Sequence, residues 1–134
     1  MAAANEVAPG VWVGRRPFVT DLPAAVDCIV DLTSEFPERS AVRTLPGYRS
    51  FPILDGSVPA NMQTFTEFVR TIAAHPGGLY IHCASGRGRA VSVTAAVLVL
   101  RGLHPDIDTA VEHIRAHRPG IRPTPTHRFV MQQV

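Results

Sequence analysis

The sequence predicts a single α/β domain. Its 134 residues are enough for one hydrophobic core. Apolar runs typical of buried strands alternate along the chain with stretches whose apolar residues recur at helical spacing. The clearest change from strand to helix falls at residues 82–89, where a glycine-containing turn joins the two patterns. Alternation of this kind is typical of a sheet packed against helices.

Four stretches predict strands: 11–14, 26–32, 48–54 and 79–82. Each is a short apolar run rich in β-branched or aromatic residues. The first ends in a glycine turn, and Pro52 interrupts the third near its end because proline has no backbone N–H for a ladder.

Four further stretches predict helices: 59–74, 89–101, 105–117 and a last one that begins at Thr124. The first has its apolar residues on one face, so that face belongs to the core. The second is apolar nearly all round and is therefore expected to be a buried central helix. The third has acidic residues in its first turn, which the helix dipole favours.

Composition excludes several classes of function. The net charge of +2 is too small to indicate a nucleic-acid partner, and no basic stripe is present. The longest apolar run, 90–100, is too short to span a bilayer, and residues 1–6 lack the pattern of a signal peptide. Two cysteines do not make a disulfide framework, and a functional thiolate suits a reducing compartment. We therefore expect a cytoplasmic protein without membrane insertion.

The reactive side chains are concentrated at the strand-to-helix turn. The stretch reads His82-Cys83-Ala84-Ser85-Gly86-Arg87-Gly88-Arg89. Glycines let successive backbone N–H groups curl inward, and the following helix adds its free amides and the positive end of its dipole. Arg89 can bind two oxygens of one anion, and the same field favours the thiolate form of Cys83. The spacing therefore predicts a site for a tetrahedral dianion beside a nucleophile.

This stretch resembles the Cys-x5-Arg phosphate loop of cysteine-dependent phosphatases, in the form His-Cys-x-x-Gly-x-x-Arg. It is most similar to that of small atypical dual-specificity phosphatases, and a looser likeness covers nearly the whole chain. The resemblance implies a central, mostly parallel sheet of about four to five strands flanked by helices, formed by one domain over residues 1–134. It also implies hydrolysis of phosphate monoesters without metal or other cofactor.

The resemblance assigns roles to particular residues. Cys83 is expected to attack phosphorus, Asp55 to act as general acid and then as base, and Arg89 to stabilise the transferring group. His82 is expected to organise the loop rather than to act as general base, although a plain sheet-edge histidine is the alternative. The expected phosphate-binding residues are Ala84, Ser85, Gly86, Arg87, Gly88 and Arg89.

One position departs from the family pattern. Directly after the arginine, relatives usually have Ser or Thr, whose hydroxyl donates a hydrogen bond to the cysteine sulfur. Here the residue is Ala90, whose side chain donates nothing. We therefore expect that breakdown of the phosphoenzyme limits turnover.

Several alternatives remain open from the sequence. A rhodanese-like sulfurtransferase shares the loop shape, and a slow pseudophosphatase that binds phosphorylated partners would keep Arg89. Cys28 is expected to be a core residue, with a redox partnership to Cys83 if their strands are neighbours. His113 and His117 are four residues apart, but no third ligand is apparent, so we predict no metal site.

The substrate is not specified by the sequence. Phosphotyrosine, phosphoserine or phosphothreonine in proteins, phosphoinositides and small phosphate esters all fit the loop. Arg87 adds a positive charge within the loop. It is interpreted either as solvated or as favouring substrates with more than one negative group.

Overall fold

A computed structural model describes residues 2–33, 40–53 and 61–123, and these form an α/β fold around one sheet. Within these residues the strands are β1 (Ala4–Ala8), β2 (Val11–Arg15), β3 (Val26–Asp31), β4 (Tyr48–Ser50) and β5 (Gly78–Cys83). Their order in the sheet is β1-β2-β5-β3-β4. The β1–β2 pair is antiparallel and the other three pairs are parallel. The predicted mostly parallel sheet is confirmed.

The described helices are α1 (Ser40–Arg43), α2 (Met62–Ala73), α3 (Arg89–Leu100) and α4 (Ile107–His117), with a 3-10 turn at Val19–Asp21. Two of them begin later than predicted because a side chain caps the N-terminus. Asn61 accepts a hydrogen bond from the amide of Thr64 at 3.0 Å, and Asp106 accepts one from the amide of Thr109 at 2.8 Å. The helix predicted from Thr124 lies outside the described residues.

The sequence analysis missed strand β1. Its five residues alternate poorly in hydrophobicity, and only Val7 is buried. The strand forms because Gly10, at φ 75°, turns the chain back and pairs it with β2. The third predicted strand is shorter than expected, since β4 ends at Ser50. Beyond it, Ile53 still donates its amide to the carbonyl of Leu32 at 3.0 Å.

Helix α3 is the centre of the core, as its sequence predicted. Ten of its twelve residues, Arg89 to Leu98, are buried. It packs against β2 and β5 and contacts both α2 and α4. Gly102, at φ 74°, follows the C-cap residue Arg101 and ends the helix. This arrangement fixes the N-terminus of α3 directly after the carboxyl end of β5.

The parallel register brings the ends of three strands to one edge of the sheet. Arg15 of β2 lies opposite Cys83 of β5, and Asp31 of β3 lies opposite His82. Ligands of parallel α/β sheets commonly bind at this carboxyl edge. The loop predicted from the sequence therefore lies where the fold favours a binding site.

Candidate active site

The loop between β5 and α3 requires a glycine at position 86. Gly86 has φ 71°, which side chains with a Cβ rarely adopt. A Cβ at Gly86 would overlap the backbone of Gly14, at the end of β2. The loop therefore lies close against β2, and its six residues turn tightly enough to face one small ligand.

Each carbonyl of the loop from Cys83 to Arg87 accepts a hydrogen bond from a group outside the turn. The donors, in the order of the carbonyls, are His82 Nδ1 (3.3 Å), Arg16 N (3.3 Å), Arg118 Nη2 (3.2 Å), Arg118 Nε (2.9 Å) and Arg122 N (2.7 Å). The backbone of the loop is thus held by five hydrogen-bond donors, two of which belong to Arg118.

The direction of these carbonyls decides where the loop amides point. The peptide bonds are trans, so each N–H points away from the carbonyl of its own peptide group. The amides of residues 84–88 therefore point away from the outside donors, and within the described residues the structure records no acceptor for them. Such a ring of inward amides at a helix N-terminus is a binding site for an anion.

Arg89 is fixed at the start of α3 beside this ring. The residue is buried, and its Nη1 donates a hydrogen bond to the carbonyl of Ile53 at 2.8 Å. This contact orients the planar guanidinium fork, which is the group best suited to two oxygens of a phosphate. Ile53 is two residues before Asp55 along the chain, and Asp55 itself lies outside the described residues.

The Cys83 thiol lies at the base of the loop and is buried. The amide of Ala90 donates to its Sγ at 3.5 Å. The side chain of Ala90 supplies no hydroxyl, as the sequence showed, but its backbone partly takes over the contact to sulfur. The thiol thus has one donor from the first turn of α3 and lies at the positive end of that helix.

His82 and Asp31 form a buried polar layer below the loop. Asp31 accepts hydrogen bonds from the hydroxyl of Tyr48 at 2.6 Å and from the amide and hydroxyl of Thr33 at 2.8 and 2.6 Å. Nε2 of His82 lies 4.0 Å from the Asp31 carboxylate, and the imidazole is fully buried. With Nδ1 directed to the Cys83 carbonyl, His82 is placed to organise the loop rather than to meet a ligand.

The sequence analysis missed the residue that holds the loop most extensively, Arg118. It directly follows helix α4, yet only 1% of its surface is exposed. Besides the two loop carbonyls, its Nη1 donates to the carbonyl of Ala2 at 2.9 Å and to Oδ1 of Asn5 at 2.8 Å. Burial lowers the pKa of Arg118, and the nearby Tyr80 and Cys83 partly oppose that effect. No sequence signal marked it, because an arginine directly after a helix is an ordinary C-terminal residue.

The suggested redox partnership of the two cysteines is wrong. Their strands are neighbours, but Cys28 pairs with Leu79, four residues before Cys83. Four residues along a strand span about 13 Å, far beyond the reach of a disulfide. Cys28 is buried in the core, and that burial raises the pKa of its thiol. It is a structural residue, as its strand pattern predicted.

The two helical histidines are used for structure. His113 Nε2 lies 2.6 Å from the Val7 carbonyl, and His117 Nδ1 lies 3.0 Å from the carbonyl of His113. The ring of His104 packs against that of His113, with centroids 4.7 Å apart and the planes tilted by 46°. Across the described ranges, no group of three or more His, Cys, Asp or Glu side chains is arranged to hold a metal ion.

Three further arginines, Arg15, Arg87 and Arg122, belong to the loop or have their backbone next to it. Arg15 forms an ion pair with Asp21 at 3.3 Å, and the side chains of Arg87 and Arg122 are exposed. Among the described residues, no helix is both long enough and apolar enough to cross a membrane.

Known proteins with related sequences are phosphatases by name. Residues 22–103 match the family described as "Polymorphic toxin system, DSP-PTPase phosphatase". A curated relative, "Putative tyrosine phosphatase 067L" of Invertebrate iridescent virus 3, is 34% identical over 86 residues, which are 58% of this chain and 35% of that protein. The chain thus spans about a third of the length of the curated relatives it matches.

Solved structures share the fold over nearly the whole chain. Tk-PTP in its active form superposes with a TM-score of 0.78 at 25% identity, covering 98% of this chain and 95% of that one. A mouse "putative dual specificity phosphatase" complexed with zinc tungstate gives a TM-score of 0.77 at 20% identity, covering 99% and 86%. The fold is therefore that of dual-specificity phosphatases, as the resemblance implied.

Proposed function

This chain belongs to the DSP-PTPase phosphatase family, and from that membership we propose that it hydrolyses phosphate monoesters through a phosphocysteine intermediate. The observation that carries the proposal is the loop itself. Five carbonyls are held outward, five amides point the other way, and a thiol and a fixed guanidinium stand beside them. This arrangement fits the three equatorial oxygens of a transferring phosphoryl group.

In the first step, the Cys83 thiolate forms a bond to phosphorus while the bond from phosphorus to the ester oxygen breaks. Asp55 gives its proton to the departing oxygen, so the leaving group is released as an alcohol or phenol. The amides of residues 84–88 and the Arg89 fork stabilise the charge on the equatorial oxygens. The contact from Arg89 to Ile53 supports the role of Asp55, because Ile53 is two residues before Asp55 in the chain.

In the second step, water attacks the phosphocysteine, Asp55 accepts its proton, and the thiolate of Cys83 leaves as inorganic phosphate forms. The leaving sulfur then needs a hydrogen-bond donor. The amide of Ala90 provides one at 3.5 Å, an ordinary distance for an acceptor as large as sulfur, but the side chain of Ala90 adds no second donor. This supports the expectation that the second step is the slower one.

For the substrate, we propose phosphotyrosine or phosphoserine and phosphothreonine in proteins, with phosphoinositides as a further class. The exposed side chain of Arg87, a residue of the loop itself, supports ligands with additional negative groups. Arg87→Ala should therefore weaken kcat/KM more for an inositol polyphosphate than for a phosphotyrosyl peptide. Equal losses on both substrates would show that Arg87 has no selective role.

We also propose that the protein acts in the cytoplasm, because a functional thiolate at Cys83 needs a reducing compartment.

The test is a panel of substrates assayed with wild type, Cys83→Ser and the matched control Cys28→Ser. Wild type and Cys28→Ser should release phosphate from phosphopeptides and aryl phosphates, whereas Cys83→Ser should not. Thiocyanate formation from thiosulfate and cyanide without phosphate release would instead indicate a sulfurtransferase. Tight binding of phosphopeptides by wild type without any turnover would indicate a pseudophosphatase.

A further inference from the structure

We propose that Arg118 is a positioning residue of the phosphate loop: it orients two loop amides toward the anion and supplies a positive charge behind them. The residue touches neither substrate nor thiol, and it acts through the loop backbone. This inference rests on the proposed function, because it explains how that same loop becomes an anion site.

The orientation follows from which atoms Arg118 holds. Its Nη2 and Nε donate to the carbonyls of Ser85 and Gly86 at 3.2 and 2.9 Å. These carbonyls belong to two consecutive peptide groups, whose N–H groups are those of Gly86 and Arg87. Since both peptides are trans, holding their oxygens toward the guanidinium directs both N–H groups to the opposite side. The guanidinium of Arg118 thus fixes the direction of the N–H groups of Gly86 and Arg87. Within the described residues neither N–H has an acceptor.

The guanidinium is itself rigidly placed. Its third nitrogen donates to the carbonyl of Ala2 at 2.9 Å and to Asn5 Oδ1 at 2.8 Å, which ties the segment before β2 to the loop. Four hydrogen bonds to a fully buried side chain leave it little freedom to turn. The pair of loop amides is therefore positioned before any ligand arrives, which is what electrostatic preorganisation requires.

Within the described residues, the partners of Arg118 do not cancel its charge. All four acceptors that the structure gives it are neutral carbonyl oxygens. Burial lowers the pKa of Arg118, and its guanidinium binds the carbonyls of Ser85 and Gly86, two and three residues after Cys83 in the same loop. A positive charge behind the loop therefore favours both the Cys83 thiolate and a bound dianion.

The experiment compares wild type, Arg118→Met, Arg118→Lys and the control Arg101→Met. Arg101 is a partly buried arginine that also donates to two backbone carbonyls, those of Ala73 and His75, at the opposite end of α3. Two readouts are taken without turnover. They are the affinity for tungstate, a tetrahedral dianion, and the pH profile of alkylation of Cys83 by iodoacetamide, followed on the Cys83 peptide by mass spectrometry.

We expect Arg118→Met to weaken tungstate binding about tenfold or more and to move the midpoint of the alkylation profile upward by about one pH unit. Arg118→Lys keeps the charge but not the fork. It should therefore leave the alkylation midpoint near that of wild type while tungstate binding stays weak. Arg101→Met should lower the melting temperature and change neither readout.

The proposal is overturned if Arg118→Met behaves like Arg101→Met, with a loss of stability but unchanged tungstate affinity and alkylation profile. Should Arg118→Met fail to fold, Arg118→Lys decides, because a wild-type affinity for tungstate in that variant removes the need for the fork. A wild type that binds tungstate but releases no phosphate would overturn the phosphatase reaction alone, since both readouts are independent of turnover.

Discussion

The two ends of helix α3 carry the same type of contact with opposite consequences. After its C-terminus, Arg101 donates to the carbonyls of Ala73 and His75. Before its N-terminus, the loop is held by Arg118, which donates to the carbonyls of Ser85 and Gly86. In both places a buried or half-buried arginine binds two nearby backbone oxygens.

The difference lies in the N–H of each peptide group whose carbonyl the arginine binds. At the Arg101 end, the peptide of Ala73 has its N–H on Ala74, which donates to the carbonyl of Arg70 at 3.1 Å, and the peptide of His75 leads into Pro76, which has no N–H. No donor is left over there. At the Arg118 end, the N–H groups of Gly86 and Arg87 have no acceptor among the described residues.

The same contact, an arginine that donates to two backbone carbonyls, stabilises the fold in one place and shapes a candidate binding site in the other. Arg101, which follows α3, binds carbonyls at and just after the C-terminal end of α2. Every helix leaves carbonyls without a partner at that end, and here the contact leaves no backbone group available for a ligand. At the loop, the same interaction uses up only acceptors and leaves donors facing one point. We therefore expect substitutions at the loop end to change chemistry and substitutions at the other end to change stability.

The largest effect is expected from Cys83→Ser. A serine hydroxyl ionises far less readily than a thiol, so turnover of an aryl phosphate should be abolished. Binding of tungstate should persist, because the loop amides and Arg89 remain. Steady-state phosphate release and tungstate titration measure the two properties separately. Substantial turnover by pure Cys83→Ser protein would show that the loop end does not supply the nucleophile.

A smaller but still large effect is expected from Asp55→Asn. Loss of a general acid lowers the rate by ~10²–10⁴ when the leaving group needs a proton. The deficit should shrink for an aryl phosphate whose phenol is strongly acidic. Rates for a series of aryl phosphates of different phenol acidity provide the measurement. If phenyl phosphate is hydrolysed at the wild-type rate, a residue other than Asp55 is the acid.

A gain of rate is expected from Ala90→Ser. A hydroxyl donating to the leaving thiolate is worth ~1.5–3 kcal/mol, and the existing amide contact at 3.5 Å reduces the gain to about tenfold in rate. Rapid mixing of wild type with an aryl phosphate should show a burst of phenol, and the variant should show a smaller burst and a faster steady state. Absence of a burst in wild type together with an unchanged variant rate would place the slow step before the phosphoenzyme.

The smallest effect on the reaction is expected from Arg101→Met. Losing two hydrogen bonds from a charged donor should lower the free energy of unfolding by about 1–3 kcal/mol. Chemical denaturation gives that value, and kcat and KM for an aryl phosphate should stay at the wild-type level. A marked fall in kcat would mean that the two ends of α3 are not independent.

The sequence predicted the parts of the fold that depend on local pattern. The apolar α3, the strand before Cys83 and the turn at Gly86 follow from periodicity and glycine placement. Strand β1 was missed because its sequence has little strand character, and pairing with β2 alone makes it a strand. Helix starts were placed two or three residues early because the capping role of Asn61 and Asp106 had not been recognised.

The candidate site was predictable only where it is contiguous. Residues 82–89 carry their chemistry in one stretch, so spacing was enough to find them. Arg118 is 32 residues from Gly86 in the chain, and only the packing of α4 and the turn after it brings the two together. The separation of Cys28 from Cys83 could not be predicted from the sequence either, because it depends on the register between β3 and β5.

The most direct measurement of the central claim is the trapping of the covalent intermediate. Wild type and Cys28→Ser are mixed with an aryl phosphate, quenched during the burst, digested and analysed by mass spectrometry. The account predicts one phosphoryl group on the peptide that contains Cys83, in an amount that matches the burst, and none on the peptide that contains Cys28. Phosphate release with no phosphorylated Cys83 at any quench time would contradict it.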